Sequence, residues 1–158
     1  MVPAISQEVW GVVGTITASQ AMPTTDKSYA TVKAYGTTKL ALLRSSDGSV
    51  AQNVRFRGTA TDANSNVIEL IGMRGEADHF TRIATLTLTT GTQIYSSGVL
   101  FVDTIVVSNE KWIDAIAVVS PAGNDIAHIA FNTHGWRYFG FIASTLNSTS
   151  VIVEAARE

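Results

Sequence analysis

The chain has 158 residues, 46% of them hydrophobic and 15% charged, with no cysteine and a formal net charge of -2. This length predicts one domain, residues 1–158, that can bury a sizeable core and needs no disulfide or bound metal to stay folded. The absence of thiols excludes disulfides, thiolate metal centres and a cysteine nucleophile, and the charge gives no electrostatic case for an extended nucleic-acid surface.

Strand-like segments follow one another along the chain. The sequence has 33 serines and threonines and 29 valines and isoleucines, a composition typical of strands. The pattern is clearest over residues 81–90, where apolar residues alternate with threonines and the two sets fall on opposite faces. Strands are predicted at residues 5–13, 29–35, 39–44, 54–57, 67–72, 81–90, 98–107, 112–119, 125–132, 136–143 and 151–155.

Turn residues separate these strands, and no long helical pattern intervenes, which predicts a sandwich or barrel rather than a βαβ sheet. Asp47-Gly48 predicts a two-residue hairpin. Polar residues 62–66 and 120–124 predict further turns. Residues 14–28 are polar and without period, which predicts a long loop or an arm that crosses another surface, with Pro23 and Thr24 as contact residues.

Residues 1–8 lack both a basic region and an apolar stretch, so we predict no secretory signal. The longest apolar runs are far shorter than the roughly 20 residues that a membrane-spanning helix needs. We therefore expect no membrane partner.

The histidines His79, His128 and His134 are the candidate bases or metal ligands of their residue type. Asp125 and His128 lie three residues apart, a spacing that points to opposite faces of a strand. A metal site built from His128, His134 and Asp125 would make the chain a cupin-like enzyme, and we favour ordinary solvated or backbone-bonded histidines over that alternative.

Asp62, Asn64 and Asn66 match the first ligand positions of a calcium loop, but the rest of the pattern is missing. Val67 occupies the position that needs glycine, and Met73 the position that needs a bidentate glutamate. The sequence also lacks a Gly-x-Ser-x-Gly elbow and a phosphate-binding glycine loop. We predict no enzyme activity, no metal and no cofactor.

Arg55 and Arg57 lie on one face of a predicted strand, with Phe56 on the other. Two guanidinium groups about 7 Å apart can clamp a carboxylate or a phosphate, including one from a neighbouring subunit. We favour salt bridges within or between subunits over a ligand site.

Residues 135–143 are rich in aromatic side chains. Strand alternation predicts that Trp136 and Tyr138 share one face, whereas Phe139 and Phe141 lie on the other. If one face is core, the other is a protein interface or a sugar-stacking platform, and core packing on both sides also stays open.

The order of features from Lys111 onward resembles a known family. Trp112-Ile113-Asp114 opens a strand, a polar turn and a second strand follow, Gly135-Trp136-Arg137-Tyr138-Phe139 comes next, and a serine- and threonine-rich strand closes the chain. This order resembles the last strands of the small jelly-roll decoration, or cement, proteins of tailed-bacteriophage heads. The resemblance implies a jelly roll that trimerises and sits over junctions of the capsid protein.

We therefore predict an all-β, antiparallel, jelly-roll-like sandwich with about 8–11 strands and little helix. The expected function is a virion decoration protein that binds the outer capsid surface after assembly in the host cytoplasm and stabilises the head. Its expected partners are the major capsid protein and further copies of itself in a homotrimer, without nucleic acid. The alternative is a carbohydrate-binding or receptor-binding β-sandwich module. The predicted contact residues are Arg55, Arg57, Trp136, Tyr138, Pro23 and Thr24.

Overall fold

The structure is a computed structural model that describes residues 9–44, 51–58, 65–96, 99–110, 116–119, 128–132 and 136–157. These ranges contain ten strands and one short helix. They are β1 (Val9–Ile16), α1 (Tyr29–Lys33), β2 (Leu40–Arg44), β3 (Ala51–Gly58), β4 (Ser65–Met73), β5 (Thr81–Ser96), β6 (Val99–Ser108), β7 (Ile116–Val119), β8 (His128–Asn132), β9 (Tyr138–Thr145) and β10 (Val151–Arg157).

The strands follow the order β1-β10-β3-β6-β5-β4-β9-β2, and neighbours pair antiparallel. Strands β1, β10 and β3 form one layer of an open sandwich, and β2, β9, β4 and β5 form the other. Strand β6 pairs with β5 and reaches the end of β3, so it connects the layers. Interleaving of strands from both ends of the chain is the jelly-roll arrangement, which confirms the predicted fold class.

Strands β7 and β8 form a hairpin between β6 and β9 in the chain, and β8 pairs with the first half of β3. The hairpin predicted around Asp47-Gly48 lies outside the described ranges. Of the described strands on either side of it, β2 pairs with β9, and β3 pairs with β10 and β8. The interleaved topology places β2 and β3 in opposite layers.

The main core lies between the two layers and is built from alternate residues of each strand. The ring centroids of Phe56 on β3 and Phe141 on β9 are 6.0 Å apart, and those of Phe131 on β8 and Phe139 on β9 are 5.1 Å apart. Both pairs are edge-to-face, a favourable geometry for aromatic rings. These contacts hold the two layers together across the interior.

A second, smaller core lies on the outer face of the β2–β9–β4 layer. The arm and α1 cover this face and bury Val32 against Ile71, Met73, Phe80 and Ile142. Residues 14–16 belong to β1, so the irregular segment runs from residue 17 to residue 28. The N–H of Gln20 donates to the carbonyl of Ala143, and the N–H of Phe80 donates to the carbonyl of Lys27, both at 2.8 Å.

The strand predicted over residues 29–35 is wrong, because residues 29–33 form α1. Ser28 caps the helix: its hydroxyl accepts a hydrogen bond from the N–H of Thr31 at 3.3 Å. Tyr29 and Val32, three residues apart, both pack into the second core, and this spacing places them on one helical face. Alternation alone did not distinguish the two structures over so short a segment.

Candidate interaction surface

The outer face of the β1–β10–β3–β8 layer collects polar, aromatic and charged side chains that point away from the main core. Their register runs from Val12 to Glu154, then to Arg55 and to His128. Val12 is 57% exposed, and the side chains of Arg55 and Arg57 are each 21% exposed. We call this surface the β1–β10–β3–β8 face; its defining residues are Trp10, Val12, Arg55, Arg57, His128 and Glu154.

Trp10 reaches from β1 across the neighbouring strand. It pairs in register with Ala156 on β10, whose small side chain leaves room for the indole ring. The Arg55 guanidinium carbon lies 4.4 Å from the ring centroid, and the His128 ring contacts the indole edge-to-face at 5.7 Å. An arginine over an indole is a favourable cation–π contact. Trp10 therefore joins three strands on the outside of the layer.

Glu154 is only 5% exposed although it points outward from β10. Its Oε1 lies 2.6 Å from Arg57 Nε and 3.4 Å from Arg55 Nε. The Arg55 contact is a hydrogen bond from the guanidinium, whereas the Arg57 contact is an ion pair without hydrogen-bond alignment. Two arginines therefore share one buried carboxylate.

The structure brings Arg55 and Arg57 together on one face, as the alternation predicts, and places an internal carboxylate beside both. Ion pairing within the chain is one of the arrangements expected from the sequence. A role of the two arginines in contacts with another molecule stays a prediction. Pro23 and Thr24 lie in the arm on the opposite layer; Pro23 is half-buried and Thr24 is exposed.

Trp136 and Tyr138 do not share a face. Trp136 is 6% exposed and packs in the main core, whereas Tyr138 borders the second core. The predicted pairing is wrong because strand alternation starts only at Tyr138, where β9 begins, and Trp136 lies before the strand. The buried Trp136 ring offers no exposed stacking surface.

Tyr138 instead forms a small polar and aromatic group at the edge of the second core. Its ring lies 5.4 Å from that of Tyr29, and its hydroxyl donates to Glu76 Oε1 at 3.3 Å. The guanidinium of Arg44 lies 5.9 Å from the Tyr138 ring centroid. These contacts attach α1 and the 74–79 turn to the start of β9.

The sequence did not predict that three residues of the β1–β10–β3–β8 face lie together: Trp10, Glu154 and His128. The alternation of Trp10 with Val12 indicates an outward-facing pair. The sequence carries no signal that β10 lies between β1 and β3, so it could not bring Glu154 to the arginines. The face exists only through pairing of strands from both ends of the chain.

The candidate metal ligands are not brought together where the structure describes them. Asp125, His134, Asp62 and Asn64 lie outside the described ranges, and His128 contacts Trp10. In the described part of the chain, no three histidine or carboxylate side chains are close enough to hold a metal ion. No helix there is long and apolar enough to cross a membrane.

No family model, curated protein or solved structure matches this chain. The fold and the chemistry of the β1–β10–β3–β8 face are therefore the basis for a functional proposal.

Proposed function

We propose that this chain is a structural protein of a virus particle, a decoration protein that binds the outer capsid surface and stabilises the head. The observation that carries the proposal is the asymmetry of the two outer faces. The chain's own arm and helix cover one layer, and the other layer presents Trp10, Val12, Arg55 and Arg57. Tryptophan and arginine are the residue types that most often dominate binding at protein interfaces.

Such a protein stabilises a capsid through binding equilibrium alone. If it binds the assembled lattice and not the free capsid protein, each bound copy shifts the equilibrium toward the assembled state. A sandwich with two stacked layers suits this role because its surface side chains are held by strands and lose little freedom on binding. The major capsid protein is the proposed partner, and a homotrimer the proposed form.

Glycan or receptor binding is the other function that the sequence suggested. It depended on an exposed pair formed by Trp136 and Tyr138, and Trp136 is buried. No observation on the described surface now favours it over contact with protein.

The test is the presence of the chain on particles. Virions from the source culture would be banded in a density gradient and analysed by quantitative mass spectrometry. We expect the chain to co-purify in a fixed ratio to the major capsid protein. Particles made without it should release their contents at a lower temperature, and the purified chain added back should restore the release temperature. Absence of the chain from banded particles would contradict the proposal.

The homotrimer is tested separately by size-exclusion chromatography with light scattering at tens of micromolar protein. We expect a molar mass three times that of one chain. A strictly monomeric species would contradict self-association. It would not bear on capsid binding, which the particle experiment tests.

A further inference from the structure

We infer that residues 17–38 form a strap that releases from the sandwich as one unit, and that its release uncovers an apolar sheet face while both layers stay folded. The strap consists of the arm, α1 and the turn that follows the helix. The inference concerns a movement within the chain, so it goes beyond the proposed function and does not depend on it.

The two ends of the strap meet at one carbonyl group. The N–H groups of Thr17 and Ala18 donate to the carbonyl of Thr38 at 2.8 and 3.1 Å. Strand β1 ends just before this point, at Ile16, and β2 begins just after it, at Leu40. The strap can therefore move away while β1 stays paired with β10 and β2 stays paired with β9.

The strap has little internal structure to hold it together away from the sheet. The structure describes all of its residues; most of them are exposed, and Val32 is the only one that is buried. Its helix has five residues, and isolated helices shorter than about 12 residues are marginal in water. Because Val32 anchors this helix on the second core, we expect the helix to unfold when the anchor leaves.

In the described part of the chain, two backbone hydrogen bonds join the strap to the sandwich. The N–H of Gln20 donates to the carbonyl of Ala143, and the N–H of Phe80 donates to the carbonyl of Lys27, both at 2.8 Å. Apart from Val32, three half-buried side chains of the strap pack on the second core. A segment with few buried contacts opens at a lower free energy than the fold as a whole.

The sheet beneath the strap is held by pairing on both sides. Strand β4 pairs with β5 and β9, and β9 pairs with β4 and β2. Ile71, Met73 and Ile142 point outward from this sheet and are fully buried in the second core, which the strap covers. Release of the strap therefore exposes neighbouring aliphatic side chains on a sheet that stays paired, and an exposed patch of this kind is a typical interaction surface.

Hydrogen exchange of the wild-type chain at low urea concentrations tests whether the strap opens by itself. The reporters are the N–H groups of Gln20 and Phe80, which bond between strap and sandwich, and the N–H of Val32, which bonds within α1. We expect one shared opening free energy for all three, with a weaker dependence on urea than at the centre of β4. Three different opening free energies, or values equal to those in β4, would overturn the inference.

A crosslink tests whether the whole strap moves together. Ser28 and His79 face each other in an antiparallel bridge, at a separation that a disulfide can span, and the chain has no cysteine of its own. In Ser28→Cys/His79→Cys, the reduced form is the matched control for the oxidised form. Oxidation should slow exchange at Gln20 and Val32 by about ten-fold or more, because the crosslink disfavours the open state. Slower exchange only beside the crosslink would overturn the inference.

A third experiment forces the strap open and probes the face beneath it. Val32→Asp places a carboxylate at the buried anchor, which disfavours docking, and Ala30→Asp is the control because it makes the same change of charge at an exposed position of α1. We expect Val32→Asp to lose protection at Gln20 and Phe80 and to keep it at the centre of β4. Its binding of the dye anilinonaphthalene sulfonate should exceed that of Ala30→Asp several-fold. Loss of protection in β4 as well would mean that strap and sandwich unfold together, and unchanged dye binding would mean that no apolar face is uncovered; either result would overturn the inference.

Discussion

Asn66 shows how one buried amide can hold a loop that is about 80 residues away in the sequence. It is fully buried in β4, its Nδ2 donates to the hydroxyl of Ser148 at 2.9 Å, and its Oδ1 accepts from the N–H groups of Asn147 at 2.8 Å and Ser148 at 3.1 Å. The sequence placed Asn66 in a turn, because asparagine among polar residues is typical of turns. The same hydrogen-bonding capacity serves here to hold the connection between β9 and β10.

Replacing Asn66 by alanine should destabilise the protein strongly for a single polar substitution. The change removes the acceptor of the N–H groups of Asn147 and Ser148; the Ser148 group is buried, and an unsatisfied buried group costs about 1–3 kcal/mol. We expect the free energy of unfolding in urea to fall by about 2–3 kcal/mol with an unchanged denaturant dependence. Ser148→Ala is the comparison: it leaves both N–H bonds to the amide oxygen and deprives only Asn66 Nδ2 of its acceptor, so its loss should be smaller. A loss for Ser148→Ala greater than that for Asn66→Ala would contradict the assignment of the main role to the amide oxygen.

Gly72 lies where the main core has no room for any side chain. A methyl group at this position would lie 2.6 Å from Ile83 Cδ1 and 2.8 Å from Trp136 Cε3. Overpacking of a core typically costs about 1–3 kcal/mol, and we expect that loss for Gly72→Ala in urea unfolding. Ile83→Val removes the Cδ1 methyl, so the double variant should lose less than the sum of the two single variants. Strict additivity would show that Ile83 does not limit the space.

At the scale of elements, the periodicity of the sequence predicts where most strands lie, and it does not predict which strands pair with each other. The alternation of leucine and threonine over residues 81–90 falls within β5, where Leu86 and Leu88 are buried and Thr85 and Thr87 face outward. Alternation is a local property, so one strand is enough to reveal it. Which strands lie side by side depends on long-range pairing, such as that of β10 with β1 and β3, and no local pattern encodes it.

The arm illustrates the same limit. Its lack of period predicts a segment that crosses another surface, and the sequence does not say whose surface. In the structure the arm lies across the chain's own β2–β9–β4 layer, where Met22 packs against the second core. This burial makes the arm part of the fold, and among the described residues no segment covers the opposite layer in the same way.

The junction of arm and helix should respond to acid through Asp26. Hydrogen bonds from the Thr31 side chain and the Ser28 N–H hold the pKa of the Asp26 carboxyl below its usual value of 3.8. The ionised form is therefore favoured in the folded state. The stabilisation is present above about pH 4 and is lost as the pH falls through the lowered pKa. We expect the arm to detach more readily at pH 3 than at pH 6.

Amide hydrogen exchange measures this detachment directly. The N–H of Phe80 bonds to the carbonyl of Lys27 and reports on attachment of the arm, whereas N–H groups in the centre of β4 report on the sandwich. After correction for intrinsic rates, protection of Phe80 should fall with acid in the wild type and change much less in Asp26→Asn. If both proteins lose protection equally, another group controls the arm.

At the scale of the whole molecule, the β1–β10–β3–β8 face depends on closure of the chain's two ends. Strand β10 lies between β1 and β3, so the register Val9↔Arg157 joins residues near the first and last positions. Trp10 and Glu154 belong to strands that meet only when this pairing is complete. The proposed binding surface is therefore a product of the global topology, and any change that separates β1 from its neighbours should affect folding and the surface together.

The position of β1 also depends on its contact with β2, at the edge where the two layers of the sandwich meet, and this contact can be tested by substitution. A methyl group on Gly14 would lie 3.0 Å from Ala41 Cβ and 3.1 Å from its Cα, and beyond this point the N–H groups of Thr17 and Ala18 both donate to the carbonyl of Thr38. Backbone atoms cannot move aside as a flexible side chain can. Gly14→Ala should therefore push the layers apart at this edge and cost about 1–3 kcal/mol of unfolding free energy.

Exchanging the two side chains separates steric exclusion from a need for glycine itself. Ala41→Gly alone should cost about 0.5–1 kcal/mol, because glycine weakens a strand interior. It also removes the methyl group that Gly14→Ala would meet, so the double variant Gly14→Ala/Ala41→Gly should be more stable than Gly14→Ala. Urea unfolding of all four proteins gives the coupling between the positions. A double variant as unstable as the sum of the singles would mean that β1 needs glycine at position 14 for its own backbone, and that contact with β2 does not set the width of this edge.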